Sequence, residues 1–182
     1  MAAKLIFYHG TVSSSKTMSL LAIAHNYDTA GWKVVTIKPA LDTRSELIET
    51  RAQVPPRKAD IVIHKEDSIY DYNELINNAD VILIDECQFL TEPQIDELRN
   101  FSVDREIDVL CFGLRTDFTT HLFPASKRLF ELADEIIEVK TICQTCGKHA
   151  SFNKRVTPDT TESVIDPGWD NYKAVCYRCY RE

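Results

Sequence analysis

The chain has few of the features that mark a membrane, secreted or nucleic-acid-binding protein. No apolar run approaches the roughly 20 residues that a membrane-spanning helix needs. The apolar stretch at residues 5–8 is also too short for the core of a signal peptide. Basic residues are in the minority, because 21 Lys and Arg face 28 Asp and Glu, for a formal net charge of −7. We therefore expect a cytoplasmic protein that binds neither a membrane nor nucleic acid.

Glycine is scarce as well, with 5 among 182 residues, and it is missing from one position that matters. The apolar run leads into a loop, and a helical pattern follows at once; the loop reads His9-Gly10-Thr11-Val12-Ser13-Ser14-Ser15-Lys16-Thr17. This layout is typical of a phosphate-binding P-loop, G-x-x-x-x-G-K-[ST], whose backbone N–H groups and helix N-terminus surround phosphates. Ser15 stands where the motif has its second glycine. The same pattern, taken alone, also fits a solvated turn with Ser15 as helix N-cap.

Glycine is favoured at that position because it adopts positive φ angles without a steric penalty. A serine held there would cost about 1–3 kcal/mol, unless the loop has relaxed into another shape. The backbone N–H remains in either case. The rest of the chain must therefore decide between a phosphate site and an ordinary turn.

The chain length and the order of elements predict an α/β domain with a parallel sheet. A chain of 182 residues suits one ordinary domain with a small appendage. A helix over residues 16–30 between two strand-like runs makes a βαβ unit, which implies a right-handed crossover. Further strands are predicted at 61–64, 81–84, 107–113 and 135–140, and helices at 70–78, 93–103 and 124–133. Residues 45–60, with Pro55-Pro56, are predicted to form a loop.

Acidic residues follow the most apolar of these strands. Residues 81–84 are all apolar, as in a parallel strand that is buried on both faces, and Asp85 and Glu86 come next. In a P-loop enzyme Asp85 would bind Mg²⁺ directly or through water, and Glu86 would accept a proton from a substrate hydroxyl. A strand that ends in Asp-Glu is common by chance. Its combination with a P-loop at this separation is not, and the pair predicts a nucleotide site.

Two further segments follow predicted strands at the same edge of the sheet. Residues 38–44 carry Asp42 and Arg44, and residues 113–118 follow the strand at 107–113. Ligands of open parallel sheets sit beyond the carboxyl ends of the strands, so both segments would face the phosphate loop. For residues 38–44 the spacing alone favours a solvated turn over a ligand-binding segment. Cys87 and Cys111 lie in or beside apolar strands and are predicted to be buried, unreactive thiols.

The remaining four cysteines form two C-x-x-C pairs, Cys143 with Cys146 and Cys176 with Cys179. Two such pairs can supply four thiolates to one tetrahedral Zn²⁺ ion. Because all four positions are cysteine, no coordination site stays open, and we expect a structural metal. A redox pair or a disulfide clip remains an alternative. A zinc ribbon can also bind nucleic acid, but this one has acidic residues at Asp159, Glu162, Asp166 and Asp170.

Together these motifs resemble the thymidine kinases of the cytosolic, zinc-containing type, over nearly the whole chain. The resemblance rests on the phosphate loop, on residues 38–44, on Asp85-Glu86-Cys87-Gln88-Phe89, on Gly113-Leu114-Arg115-Thr116-Asp117-Phe118 and on the two C-x-x-C pairs. It implies an α/β P-loop NTPase-like parallel sheet flanked by helices over residues 1–140. A small C-terminal zinc-ribbon or lid domain would follow over residues 141–182. It also implies a homotetramer, with dTTP as a feedback ligand.

The resemblance implies transfer of the γ-phosphoryl group of ATP to the 5′-hydroxyl of thymidine or deoxyuridine. Glu86 would be the catalytic base, and Thr17 and Asp85 would serve Mg²⁺. Binding of the nucleotide cofactor is implied for Gly10, Thr11, Val12, Ser13, Ser14, Ser15, Lys16, Thr17, Asp42, Arg44, Asp85 and Gln88. Binding of the nucleoside is implied for Val12, Phe89, Leu114, Phe118, Phe123, Ile165 and Tyr172. Zinc would be held by Cys143, Cys146, Cys176 and Cys179.

The sequence departs from the family pattern at a few positions. Ser15 replaces the second glycine of the phosphate loop, Val12 replaces a methionine near the base, and Thr119 replaces an arginine. The lid reads Ile-Asp-Pro-Gly-Trp over residues 165–169, in place of an Ile-Gly-Gly run. The alternative to an active thymidine kinase is therefore a catalytically weakened or inactive homologue that binds nucleosides or nucleotides.

Overall fold

A computed structural model describes residues 2–40, 46–50, 52, 54–157 and 171–182. The predicted site residues Asp42, Arg44 and Ile165 lie outside these ranges. The strands are β1 Leu5–Gly10, β2 Val34–Pro39, β3 Leu47–Ile48, β4 Arg57–Lys58, β5 Ile61–Ile63, β6 Val81–Ile84, β7 Asp108–Leu114, β8 Glu135–Glu138, β9 Thr141–Ile142, β10 His149–Ala150, β11 Phe152–Arg155 and β12 Tyr172–Val175. The helices are α1 Lys16–Thr29, α2 Asn73–Ile76, α3 Glu92–Arg105, α4 Pro124–Leu132 and α5 Tyr177–Arg181, with 3-10 helices at Ile69–Tyr72 and Cys87–Phe89.

Six strands form one parallel sheet in the order β5-β2-β6-β7-β1-β8. The predicted α/β class with a parallel sheet is therefore confirmed. Strand β7 lies between β1 and β6, so the loops that leave β1 and β6 emerge at the same edge on either side of it. Ligands of such sheets bind at this carboxyl edge.

Both faces of the sheet are covered, as its apolar strands require. In β6, Ile82 and Ile84 pack into the core on one face, whereas Val81 and Leu83 pack into the core on the other. Helix α1 covers the second face, and helices α3 and α4 cover the first. The sheet is thus a buried layer between helices. None of the helices in the described ranges has the length and apolar character that crossing a membrane would need.

Two predicted elements differ from the structure. The helix expected over residues 70–78 is a 3-10 helix followed by one α-helical turn, α2. Ser68 caps the first piece, and Ile69 and Ile76 anchor the two pieces separately in the core. The loop expected over residues 45–60 contains the short antiparallel pair β3 and β4. Two-residue strands leave no periodicity that a sequence pattern could reveal.

The C-terminal segment forms a small unit beside the sheet. Strand β9 pairs with β10, and β11 pairs with β12, both antiparallel. Its buried apolar residues, among those described, are Cys143, Ala150, Ala174, Val175 and Cys179. Val12 of the phosphate loop packs against this cluster, so the unit is in direct contact with the predicted nucleotide site.

Candidate active site

The phosphate loop connects β1 to α1, as its motif predicts. At Gly10 a Cβ atom would lie 2.8 Å from the carbonyl oxygen of Val139 and would collide with Oγ of Ser14. Any side chain at this position would therefore displace the loop. This close approach of backbones explains why the first glycine of the motif is present, since glycine alone lacks the Cβ.

Ser15 adopts the left-handed conformation that glycine normally supplies. Its φ and ψ are 64° and 24°, and its side chain makes no capping hydrogen bond to the helix. A conventional N-cap serine has extended backbone angles and accepts a hydrogen bond from the first turn. The structure therefore favours the phosphate-loop interpretation over the ordinary capped turn. Ser13 is also left-handed, with φ of 57°.

Lys16 lies within the loop that it follows. Its Nζ donates to the carbonyl oxygen of Thr11 at 2.6 Å and to Oγ of Ser14 at 3.2 Å. Burial lowers the pKa of Lys16, while the carboxylates of Glu86 and Asp85 act in the opposite direction. A cation in this position can reach the outer phosphates of a bound nucleotide.

Thr17 and Asp85 meet where the first turn of α1 faces the end of β6. Oγ1 of Thr17 donates to Oδ1 of Asp85 at 3.1 Å. Burial and the neighbouring carboxylate of Glu86 raise the pKa of Asp85 to about 7, although Thr17, Lys38 and Lys16 oppose the shift. A hydroxyl and a carboxylate are the oxygen ligands with which P-loop enzymes hold Mg²⁺. This pair fits such an ion, which would also favour the ionised form of Asp85.

Glu86 is oriented by its backbone and by Gln88. Its φ and ψ are 52° and 38°, a left-handed conformation that is uncommon outside glycine and that costs energy. Nε2 of Gln88 donates to Oε2 of Glu86 at 2.7 Å, and Oε1 of Gln88 accepts from the backbone N–H of Leu114 at 2.9 Å. Gln88 is 2% exposed. The buried amide thus links the Glu86 carboxylate to the end of β7.

The described residues that were predicted to bind the nucleoside are half-buried. The rings of Phe89 and Phe123 are 5.8 Å apart and nearly perpendicular, and those of Phe118 and Tyr172 are 6.1 Å apart. Both backbone groups of Leu114 are hydrogen-bonded. Its N–H donates to Gln88, and its carbonyl oxygen accepts from Oγ of buried Ser126 at 2.6 Å. Partly exposed aromatic rings of this kind can form the slot that a flat base needs.

The structure also places at this edge two residues to which the sequence had assigned no role. Lys38 is 8% exposed, donates from Nζ to the carbonyl oxygen of Leu47 at 2.6 Å, and opposes the raised pKa of Asp85. Asn153 reaches from β11 to the phosphate loop, where its Oδ1 accepts from the N–H of Val12 at 2.9 Å. For the first, a lysine within the mostly apolar strand β2 was a usable signal. The second contact spans 141 positions and has no local signature.

The four cysteines of the C-x-x-C pairs come together as one cluster. Their Sγ atoms all lie within 4.8 Å of one another, and those of Cys146 and Cys176 are 3.6 Å apart. Sulfur atoms around a tetrahedral zinc ion are separated by about 3.8 Å, given Zn–S bonds of about 2.3 Å. The cluster therefore has the donor set and the spacing of a structural zinc site.

Backbone groups already stabilise part of this cluster as thiolate. Burial acts against ionisation of Cys143, but N–H groups of Cys176, Thr145 and Cys146 lower its pKa to about 6. Burial and the neighbouring thiols raise the pKa of Cys179 to about 12. A divalent cation would replace the repulsion among these thiolates with attraction.

The family model and the curated relatives agree on one family. The family model described as "Thymidine kinase" matches residues 3–180. A thymidine kinase of Streptococcus agalactiae is 40% identical over 183 residues, covering 98% of this chain and 97% of that protein. The thymidine kinase of Enterobacteria phage T4 is 34% identical over 187 residues, covering 99% and 96%. That of Chromobacterium violaceum is 36% identical over 185 residues, covering 98% of each.

Among solved structures, Bacteroides Pif1 bound to ssDNA matches with 13% identity and a TM-score of 0.41, over 75% of this chain and 38% of that chain. This similarity is too low to bear on function. The family match covers nearly the whole chain, from residue 3 to residue 180. It includes both the phosphate loop and the four-cysteine cluster. The chain therefore belongs to the thymidine kinase family of phosphotransferases.

Proposed function

We propose that the chain transfers the γ-phosphoryl group of Mg-ATP to the 5′-hydroxyl of thymidine or deoxyuridine. The observation that carries this proposal is the arrangement at the carboxyl edge of the sheet. Lys16 lies in the phosphate loop, Thr17 contacts Asp85 at 3.1 Å, and Glu86 follows directly with its carboxylate held by Gln88. The cation, the metal ligands and the base that phosphoryl transfer needs thus lie at the same edge of the sheet.

Each group has a defined task in this proposal. Lys16 and the loop N–H groups neutralise and orient the phosphates. Thr17 and Asp85 would hold Mg²⁺, which would offset the negative charge of the phosphates. Glu86 accepts the proton of the 5′-hydroxyl as that oxygen attacks phosphorus. The apolar side chains of Phe89, Leu114, Phe118, Phe123 and Tyr172 enclose the base. Residues 1–140 would form the kinase domain, and residues 141–182 a lid held by zinc at the four-cysteine cluster.

The direct test is phosphate transfer from Mg-ATP to thymidine by the purified, zinc-replete protein, with nucleotides separated by chromatography. Two analogues identify the acceptor atom, because 3′-deoxythymidine keeps the 5′-hydroxyl and 5′-deoxythymidine lacks it. We expect monophosphate from thymidine, deoxyuridine and 3′-deoxythymidine, and none from 5′-deoxythymidine. Absence of product from all four would refute the proposed reaction.

Three wider properties follow from family membership and belong to the same proposal. The protein would assemble as a homotetramer, bind dTTP as a feedback ligand, and act in the cytoplasm. Sedimentation that shows only monomer at micromolar concentration would contradict the first of these. Calorimetric titration with dTTP, compared with dCTP as the control nucleotide, tests the second.

A catalytically weakened homologue is the competing function, and the observation that favours it is the strained backbone of Ser15. A residue with a Cβ atom pays about 1–2 kcal/mol to adopt the left-handed backbone conformation. Replacement by glycine removes this cost, but the larger entropy that glycine loses on folding offsets part of the gain. We therefore expect Ser15→Gly to raise the free energy of unfolding by about 1 kcal/mol. Since Ser15 already has the angles of the glycine that it replaces, we expect kcat/KM for ATP to change by less than about threefold.

Ser13→Gly is the matched control, because Ser13 is also left-handed and lies in the same loop. Chemical denaturation measures the stability of both variants, and steady-state kinetics with varied ATP measures their activity. A gain of about tenfold or more that is confined to Ser15→Gly would show that serine handicaps the loop. That result would favour the weakened homologue.

A further inference from the structure

Asn153 joins three parts of the chain that are distant in sequence. It is 4% exposed and lies on β11, in the segment between the two C-x-x-C pairs. Its Oδ1 accepts from the backbone N–H of Val12 at 2.9 Å, and its Nδ2 donates to the carbonyl oxygen of Thr116 at 2.9 Å. One buried side chain therefore connects the C-terminal unit, the phosphate loop and the 113–118 segment.

The chemistry of these partners requires an asparagine amide. A backbone N–H only donates and a carbonyl oxygen only accepts, so the orientation of the Asn153 side chain is fixed by its partners. Aspartate would keep the acceptor for Val12 but would bring a carboxylate against the carbonyl oxygen of Thr116. Leucine would remove both hydrogen bonds and leave the N–H of Val12 and the carbonyl oxygen of Thr116 without this partner, which is the costly way to lose a hydrogen bond.

The two ends of the phosphate loop contact different parts of the protein. The N–H of Val12 is directed to the C-terminal unit and is not free for a phosphate, and the Val12 side chain packs on the cluster that contains Cys143 and Cys179. The other end faces β6, where Thr17 contacts Asp85. The first end is thus positioned by the C-terminal unit and the second by the sheet.

Other contacts hold the 113–118 segment to the same unit. Nη2 of Arg115 donates to the carbonyl oxygen of Ser151 at 3.1 Å. The hydroxyl of Tyr180 donates to the carbonyl oxygen of Phe118 at 2.8 Å. These bonds do not include the phosphate loop. Asn153 adds the connection between that segment and Val12.

We propose that Asn153 is a positioning residue that fixes Val12 relative to the 113–118 segment, and thereby sets the nucleoside side of the site without acting on its phosphate side. The inference rests on the proposed function for the identity of the ligand. Loss of both hydrogen bonds should raise KM for thymidine about tenfold, whereas KM for ATP should stay within about threefold.

The test compares Asn153→Leu and Asn153→Asp with Lys154→Met. Lys154 is the next residue on β11, and its Nζ donates to the carbonyl oxygen of Cys179 at 2.9 Å, so its loss weakens the C-terminal unit without touching the phosphate loop. Amide hydrogen exchange of a peptide that covers residues 9–17 includes the exchange of the Val12 N–H. Zinc content and thermal unfolding show that each variant is folded.

We expect faster exchange in this peptide for Asn153→Leu, wild-type exchange for Lys154→Met, and protection at Val12 retained in Asn153→Asp. In both Asn153 variants, KM for thymidine should rise while KM for ATP stays within about threefold. Unchanged exchange in Asn153→Leu, or KM values for ATP and thymidine that rise in parallel, would overturn the proposal. If the wild type phosphorylates no nucleoside, the proposed reaction fails, and hydrogen exchange with thymidine-binding calorimetry still decides the role of Asn153.

Discussion

Replacing Glu86 with glutamine is expected to lower kcat for thymidine phosphorylation by about 10²- to 10⁴-fold, the usual contribution of a general base. Glutamine has nearly the same shape, and its amide oxygen can still accept from Nε2 of Gln88, which is 2.7 Å from the carboxylate in the wild type. It cannot take up a proton at neutral pH. The variant should therefore bind thymidine with wild-type affinity and fail at the chemical step.

Steady-state kinetics and calorimetric titration with thymidine measure these two effects separately. Glu138→Gln is the matched control, since it removes the same charge at the end of β8, where the carboxylate faces His149 at 3.1 Å. We expect the control to retain activity within about threefold. Undiminished turnover in Glu86→Gln would remove Glu86 from its proposed role, whereas loss of thymidine binding would show that its role is structural.

Replacing Cys146 with serine is expected to remove zinc and to unfold the C-terminal unit. The described part of this unit buries Cys143, Ala150, Ala174, Val175 and Cys179, which is a small core for a chain segment of this length. Units of this size are usually stabilised by a metal, and structural zinc contributes about 10–16 kcal/mol in small zinc-binding peptides. Cys146 is exposed, so its substitution tests metal binding rather than core packing.

Elemental analysis should find about one zinc per chain in the wild type and a small fraction of that in Cys146→Ser. Limited proteolysis should then cut the variant between residues 141 and 182, and thymidine affinity should fall at least about tenfold, because the unit also positions Val12. Cys111→Ala is the control, as this thiol is buried in β7 away from the cluster. A Cys146→Ser protein that keeps zinc and resists the protease would contradict the structural metal.

The C-terminal unit with its four-cysteine cluster is connected to the phosphate loop, because Val12 packs against it. Variants of the four cysteines should affect nucleoside binding through Val12 and Asn153, not through direct contact. Variants of Lys16 or Thr17 should act on the phosphates and leave the C-terminal unit intact. Comparison of zinc content with nucleoside affinity across such variants separates the two routes.

The sequence by itself determined the local parts of this protein. The phosphate loop, the acidic pair after β6 and the two C-x-x-C pairs are contiguous motifs, and each motif depends on backbone geometry or ligand spacing within a few residues. The sequence even located the strain at Ser15, because the motif specifies which residue must be left-handed, and φ of 64° bears this out. Periodicity gave the parallel α/β class, since apolar runs buried on both faces alternate with helices.

Only the tertiary structure decided how these parts meet. The link from Gln88 to Leu114 spans 26 positions and that from Asn153 to Val12 spans 141, so neither leaves a trace in any local pattern. The strand order places β7 between β1 and β6 and thereby sets which loops share the site. A buried amide is drawn to whichever backbone groups the fold leaves without partners, and that choice exists only after the elements have packed.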